Sequence, residues 1–406
     1  MKIAIIGVDA NTLFYCKKLL ENPENIVYNI GPETKYTHDR FIPIPVTGTT
    51  LAERKQNIID ILDSFIILGI ELIIPILWSH QLMPFFQEKV RSLNIPVLMP
   101  TIENAYLEWS KVYGKLILNE LNIPTTKYVV YSANELFDKF STLHRPFVLK
   151  FDKDWRAGMQ TIIVTDDNHI EIYEYLMKCG RTRNVKMFGE FVDQTFIVEE
   201  YIKGDREYSY HVVCNGNDIR YIGAARDYKK RYENDMGKNT TSMGCYSNVD
   251  IHDTVHEYAR KIVKHRNYIG ILYLGIMVVD DKPIVLEINT RFGDPEFHML
   301  NLLDIDMGRL FYQAANSEEM MDIVFKDDTT VTIMIVNENE TKYLPDFTNI
   351  PEYIKLIEYS FKDGLNLHIV ASLTCTGSNA SNKIYDYINS IDMGNCEYRT
   401  DIGILL

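Results

Sequence analysis

The chain is poor in the features that mark secreted, membrane-spanning or nucleic-acid-binding proteins. Its six cysteines (Cys16, Cys179, Cys214, Cys245, Cys375 and Cys396) are scattered and form no Cys-x-x-Cys pair. That spacing disfavours a disulfide framework and a thiolate zinc site, and it suits a reducing compartment. The opening residues, MKIAIIGVD, lack the basic start and the cleavage site of a signal peptide. No apolar run is long enough to span a bilayer: the stretch from Phe65 to Leu77 is broken by Gly69, Glu71 and Pro75. Positive charge is also scarce. A net charge of -14 repels nucleic acid overall and leaves anion binding to places where Lys and Arg gather locally. The expectation is a cytoplasmic protein acting on small molecules; oligomeric state is not legible.

What the chain does contain is ordinary globular material, 46% hydrophobic and 24% charged, over 406 residues. That length is enough for two or three lobes around one cleft. Over residues 1–109, strands and helices alternate: KIAIIG as a buried strand, a helix from Asn11 to Leu20, a strand at Ile26–Ile30, a helix over Leu51–Leu68, and strands near Leu72–Leu77 and Pro96–Met99. This reads as a doubly wound α/β domain. Residues 110–187 read as a linker helix and a small lid lobe, the lid running from about Thr125 to Lys186. Residues 188–325 read as a main α+β body on an antiparallel sheet, and 326–406 as a β-rich C-terminal segment.

Three stretches carry chemistry. In Ile284-Val-Leu-Glu-Ile-Asn-Thr-Arg-Phe-Gly-Asp-Pro-Glu296, apolar residues 284–286 predict a strand that ends at a Gly293-Asp294-Pro295 turn. Alternation puts Glu287, Asn289 and Arg291 on one face. A carboxylate and an amide so placed offer hard oxygens to magnesium, with a guanidinium beside them for phosphate. The same pattern also describes a strand with one solvated polar face. The second stretch, Arg226 to Ser247, reads as a long loop gathering Arg226, Lys229, Lys230, Arg231 and Lys238, with small residues that would leave backbone amides open to anionic oxygens. A mobile solvated loop fits that pattern too. The third is Ile197-Val-Glu-Glu-Tyr-Ile202, followed by Gly204-Asp-Arg-Glu207, an acidic strand end able to read adenine by backbone and ribose by carboxylate; Lys150 closes another buried-looking strand.

The strings DYKKRYENDMGKNTTSMGCYS, ILYLGIMVVDDKPIVLEINTRFGDPE and YRTDIG resemble phosphoribosylamine–glycine ligase, a family with the ATP-grasp fold. The resemblance runs from about Ser110 to Arg309 and recurs weakly beyond. It implies an ATP-dependent, ADP-forming carboxylate–amine ligase that makes an acyl phosphate, with Mg2+ (or Mn2+) on Glu287 and Asn289. It implies ATP contacts from Lys150, Glu199, Glu200, Tyr201, Ile202, Glu207, Arg226 and Lys229. It also implies amino-acid contacts from Asp227, Asn239, Ser242, Met243, Gly244, Arg291, Gly293 and Asp294, with Arg291, Asp227 and Arg231 catalytic. Such chemistry rests on positioning and charge neutralisation.

Departures from the family pattern concern the acceptor and the lid. Where the family has a glycine-rich turn followed by Arg-Glu-His, this chain has Gly7-Val-Asp-Ala-Asn-Thr-Leu-Phe14. Its Gly-Pro-Glu turn is replaced by Pro75-Ile-Leu-Trp-Ser-His-Gln-Leu82, and its lid motif Ala-Gly-Lys-Gly by Ala157-Gly-Met-Gln160, leaving Arg156 or Lys153 as substitutes for the lysine. These changes lead to the expectation of a small amino acid, glycine or similar, passed to an amine other than phosphoribosylamine, with Trp78, His80 and Tyr15 shaping the acceptor pocket. The alternatives are a true phosphoribosylamine–glycine ligase and an inactive nucleotide-binding module.

Overall fold

The structure is a computed structural model that describes residues 1–7, 11–48, 50–76, 84–153, 161–180, 185–187, 190–192, 195–204, 206–247, 249–337, 345–347, 349–362 and 367–404. Expectations placed on Val8, Asp9, Trp78, His80, Arg156 and the 157–160 loop lie outside these residues.

The N-terminal unit contains β1 (Lys2–Ile6), α1 (Thr12–Leu20), β2 (Ile26–Gly31), β3 (Phe41–Pro45), α2 (Leu51–Leu68), β4 (Leu72–Pro75) and α3 (Pro84–Ser92). Its sheet is parallel in the order β3-β2-β1-β4, as the strand–helix alternation requires. The strand expected at Pro96–Met99 is reduced to one parallel bridge, Ile73 to Val97. Helix α2 starts at Thr50, whose side chain accepts from Glu53 N while Glu53 reaches back, a reciprocal cap. It stops at Gly69 with φ 68°, a left-handed position that costs glycine little. Strand β3 is an edge strand carrying Pro43 and Pro45, which no central strand would tolerate.

The linker expected as one helix from Ser110 to Leu121 is preceded by a second: α4 (Ile102–Trp109) and α5 (Lys111–Glu120) meet at Ser110. The Ser110 hydroxyl accepts from Tyr113 N and donates to Asp152 at 2.9 Å, so one serine caps α5 and ties it to the next lobe. That lobe holds β5 (Tyr128–Ser132), α6 (Ala133–Lys139), β6 (Phe147–Phe151), β7 (Thr161–Val164), α7 (His169–Gly180), β8 (Val185–Met187), β9 (Glu190–Val192) and β10 (Thr195–Glu200). Its antiparallel sheet has the order β5-β10-β6-β7.

The body begins with β11 (Arg206–Asn215), β12 (Ile219–Asp227), β13 (Lys230–Tyr232), β14 (Met236–Asn239) and β15 (Gly244–Ser247). It continues through α8 (Thr254–Arg266), β16 (Ile269–Val279), β17 (Lys282–Asn289) and α9 (Met307–Ala315), and then through β18 (Thr329–Asn337), β19 (Ile354–Lys362), β20 (His368–Gly377) and α10 (Ala380–Ile388). The segment from 226 to 247 is therefore not a long loop: β13 and β14 pair as a hairpin, and β15 enters the main sheet. One eight-stranded sheet, β17-β16-β11-β12-β15-β18-β20-β19, joins the expected body and C-terminal segment. A shared apolar core of Ile3, Phe14, Leu72, Phe297, Met299 and Phe311 packs the N-terminal unit onto this body. The cleft lies where β17 ends.

Candidate functional site

Strand β17 is antiparallel to β16, with Asn289 opposite Tyr273 and Glu287 opposite Gly275. Asn289 Nδ2 donates to Glu287 Oε1 at 3.2 Å, and Lys111 Nζ lies 3.2 Å from Glu287 Oε2. Burial alone would raise the Glu287 pKa. Lys111, Lys229, Lys150 and the Asn289 hydrogen bond outweigh it and hold the carboxyl well below its usual range. The strand ends at Asn289, so Arg291 is fixed by a partner rather than by alternation. Glu108, at the end of α4, accepts from Arg291 Nε at 3.0 Å and from Thr290 N at 2.8 Å. The Arg291 guanidinium stays charged because Glu108, with Glu296, Tyr273 and Asp294 adding smaller contributions, overcomes its desolvation.

The turn after Arg291 is built around His211 on β11. Burial pushes this imidazole down to about 3, so Nε2 is free of a proton and accepts from Gly293 N at 3.1 Å. A Cβ at Gly293 would stand 2.5 Å from the Glu296 carboxylate, so a side chain there would force that carboxylate to move. Burial, joined by Asp227, raises the Glu296 pKa to about 7. Asp294 turns toward the N-terminal unit, where Asn11 Nδ2 donates to its Oδ2 at 2.7 Å.

Lys150 on β6 and Lys115 on α5 both face Glu199 Oε1, at 3.1 and 3.4 Å, and all three are buried. Lys115 Nζ also donates to Thr125 and Thr126 Oγ1, each at 2.7 Å, and Lys150 Nζ to Leu286 O at 3.1 Å. Thr126 Oγ1 donates to Glu199 Oε2 at 2.7 Å. The structure thus turns Glu199 to a pair of lysines, where the sequence reading gave it to the nucleoside. Its neighbour Glu200 accepts from Lys127 N at 2.8 Å at the lobe junction, with Tyr201 exposed and Ile202 half-buried beyond it. Glu207 keeps an exposed surface, and desolvation, with Asp227 and Glu287 nearby, raises its pKa against the pull of Lys229. Lys229 stands among these carboxylates, 3.1 Å from Asp227. Asp227, Tyr273, Glu287 and Glu207 together overcome its desolvation and hold it charged.

The hairpin is organised differently from the expectation. The amides of Thr240, Met243 and Gly244 donate to Lys229 O, Tyr228 O and Ser242 Oγ, so they are spent within the protein rather than offered to an anion. Ser242 Oγ donates to Asp227 at 2.6 Å, and Asn239 pairs with Lys230 in the hairpin. Arg231 is buried against Glu397, and Arg226 reaches Asp235 at 3.3 Å. Neither joins the cluster around Glu287. Buried Arg399 donates to Lys230 O and to Asp235, each at 3.0 Å, so the C-terminal YRTDIG segment holds the hairpin in place. Lys111, Lys115, Glu108 and Glu296 are the site residues that the sequence reading did not name. Their signal was only a charge at the border of a helix.

The donor set at the end of β17 fits a hard divalent cation. Glu287 is held anionic, and the Asn289 amide beside it offers its oxygen when rotated by half a turn. Among the described residues no cluster of three or more His, Cys, Asp or Glu side chains forms a metal cage, so a cation here would complete its shell with phosphate and water. Among the described residues no helix is long and apolar enough to cross a membrane.

A small antiparallel sheet set beside a larger antiparallel body, with buried Lys115 and Lys150 paired to Glu199, has the ATP-grasp architecture, and the chain resembles ATP-grasp ligases. Residues 109–297 match the family described as phosphoribosylglycinamide synthetase, ATP-grasp (A) domain. Within that class the chain resembles phosphoribosylamine–glycine ligases. The one from Caulobacter vibrioides is 28% identical over 354 residues, covering 78% of this chain and 79% of that protein. The bifunctional purine biosynthetic protein of Saccharomyces cerevisiae is also 28% identical over 354 residues, but the match spans 77% of this chain and only 43% of the yeast protein. The crystal structure of phosphoribosylamine–glycine ligase from Thermotoga maritima superposes with a TM-score of 0.71, covering 99% of this chain and 100% of that one at 22% identity, which shows the shared fold.

Proposed function

We propose that the chain activates the carboxylate of glycine with ATP and joins it to phosphoribosylamine. The observation that carries the chemistry is the Glu287–Asn289–Arg291 constellation at the end of β17, faced by Lys111, Lys115, Lys150 and Lys229. Likeness to phosphoribosylamine–glycine ligases supports the choice of substrates over the other amine acceptor expected from the sequence. In this reading a glycine carboxylate oxygen attacks the γ-phosphorus and ADP leaves. The amine nitrogen then attacks the acyl carbon, and phosphate leaves as the amide forms and the amine gives up a proton. Lys115 and Lys150 hold phosphate oxygens, and Arg291, steadied by Glu108, neutralises charge on the acyl phosphate. Glu287 and Asn289 would hold Mg2+ or Mn2+, which neutralises phosphate charge when bound. The lid excludes water from the acyl phosphate.

A second reading keeps the activation step and changes the amine. It draws on the pocket lined by Arg291, whose other described walls, Ile5, Ile74, Pro75, Ile76 and Phe292 among them, are apolar, while the Arg291 guanidinium is already paired with Glu108. Tyr15 lines this pocket. An inactive module is disfavoured by the complete set of charged residues at β17. The deciding experiment is ADP release with magnesium and ATP across a panel of amino acids, with and without freshly generated phosphoribosylamine. Release that requires both glycine and phosphoribosylamine supports the first reading. Release with glycine and a different amine only, such as hydroxylamine, overturns it in favour of the second.

A further inference from the structure

We propose that Asp294, which the resemblance gives to the amino acid, is instead the group that touches the amine acceptor, and that Asn11 and Tyr359 are the residues that position it. The proposal rests on the ligase reading above. Three segments far apart in sequence meet here: the start of α1, the turn after β17, and the edge strand β19. Asn11 Nδ2 donates to Asp294 Oδ2 at 2.7 Å, the Tyr359 hydroxyl donates to Asn11 Oδ1 at 2.7 Å, and the same hydroxyl lies 3.4 Å from Asp294 Oδ1. Asn11 is buried, Tyr359 is half-buried and Asp294 is exposed. The arrangement is an accessible carboxylate aimed by a buried amide, which is how a recognition group is held at low entropic cost.

Its location ties it to the acceptor. Tyr15 lies one helical turn after Asn11 on the same side of α1, and its ring stands 5.3 Å from Phe292, two residues before Asp294. Tyr15 and Phe292 both line the pocket beside Arg291. The described walls of that pocket are mainly aliphatic and aromatic, with Thr290 and Arg291 as polar members, and Asp294, two residues beyond Phe292, adds an exposed carboxylate to this segment. A carboxylate flanked by an amide and a phenol accepts from N–H and O–H donors, which defines the ligand class as a primary amine carried on a hydroxylated scaffold. Asn11 also stands within the stretch where the family carries Arg-Glu-His, while Asp294 belongs to the string that resembles the family.

The test compares Asn11→Ala, Tyr359→Phe and Asp294→Asn with the wild type, reading KM for the acceptor against KM for ATP at saturating glycine. Loss of a hydrogen bond to a charged group costs roughly tenfold or more in affinity. The expected result is therefore a rise of about tenfold or more in acceptor KM for Asp294→Asn, and a smaller rise for Tyr359→Phe, with KM for ATP within about twofold. Thermal midpoints of all variants identify any that fail to fold. Tyr359→Phe keeps the ring and so preserves the test if Asn11→Ala does not fold. Equal rises in both KM values, or no rise in either, overturn the proposal. If the wild type rejects phosphoribosylamine, the function reading fails separately, and the same comparison is made with whichever amine sustains ADP release. If no amine does so, both readings fall.

Discussion

The buried Lys115–Glu199–Lys150 cluster gives the most exacting test of how the phosphate site is built. Glu199 Oε1 lies 3.1 Å from Lys150 Nζ and 3.4 Å from Lys115 Nζ, in surroundings that solvent scarcely reaches. Desolvation, then repulsion from Lys150, pushes Lys115 down to about 7 despite the help of Glu199 and Glu287. The folded protein therefore releases this proton near pH 7, while the unfolded chain keeps it until about pH 10.4. Between those limits the unfolded state binds more protons, so this lysine makes stability rise with pH across the window and imposes a constant cost below it. Glu199 acts in the opposite region: its pKa is held below the usual value, so its contribution is present above that value and is lost as pH falls through the folded pKa. Glu199→Gln keeps the shape and removes the carboxylate that pairs with both ammonium groups. Breaking a buried ion pair on one side costs about 3–5 kcal/mol. Urea unfolding at pH 7.5 should show a loss of that order. Without Glu199 the Lys115 pKa falls further. A phosphate-holding ammonium is lost as it titrates, so kcat/KM for ATP in the wild type should fall on the alkaline side with an apparent pKa of about 7, and in Glu199→Gln at lower pH. Lys115→Met should abolish that limb. If Glu199→Gln retains both the unfolding midpoint and the alkaline limb of the wild type, the cluster does not organise the phosphate site.

Two further perturbations address other parts of the molecule. Glu287→Gln removes the anionic oxygen expected to hold magnesium; turnover should be lost while circular dichroism stays near that of the wild type and the thermal midpoint falls as Lys111 loses its partner, and normal activity would refute the magnesium assignment. Arg399→Leu removes a buried guanidinium that bonds Lys230 O, Asp235 and Asp401, leaving the Asp401 carboxylate without this cation and Asp235 with Arg226. A destabilisation of about 3–5 kcal/mol is expected, together with faster amide exchange in β13 and β14.

Legibility followed the range over which each structure is determined. Strand β17 and its polar end were readable because the apolar run 284–286 and the Gly293-Asp294-Pro295 turn are local. Helix α2 was readable because Thr50, Glu53 and Gly69 mark both its ends. The β13–β14 hairpin was not, since Lys230–Tyr232 and Met236–Asn239 carry no apolar alternation. Arg399, Asp401 and Glu397, more than 150 residues away, supply the contacts that hold the pair. The same reason hid half of the site. Glu108, Lys111 and Lys115 occupy ordinary positions on or beside short helices, and their meaning comes from partners at Arg291, Glu287 and Glu199 on other elements. A charge opposite its counter-charge in three dimensions leaves no periodic mark in one. It also explains why the acceptor side resisted the sequence reading most. Asn11 reads as a helix cap, Tyr359 as a strand residue and Asp294 as a turn former, yet the fold brings all three within hydrogen-bonding distance. Substrate choice in such a ligase is set where separate lobes meet, so it is written in the docking of the lobes as much as in any motif.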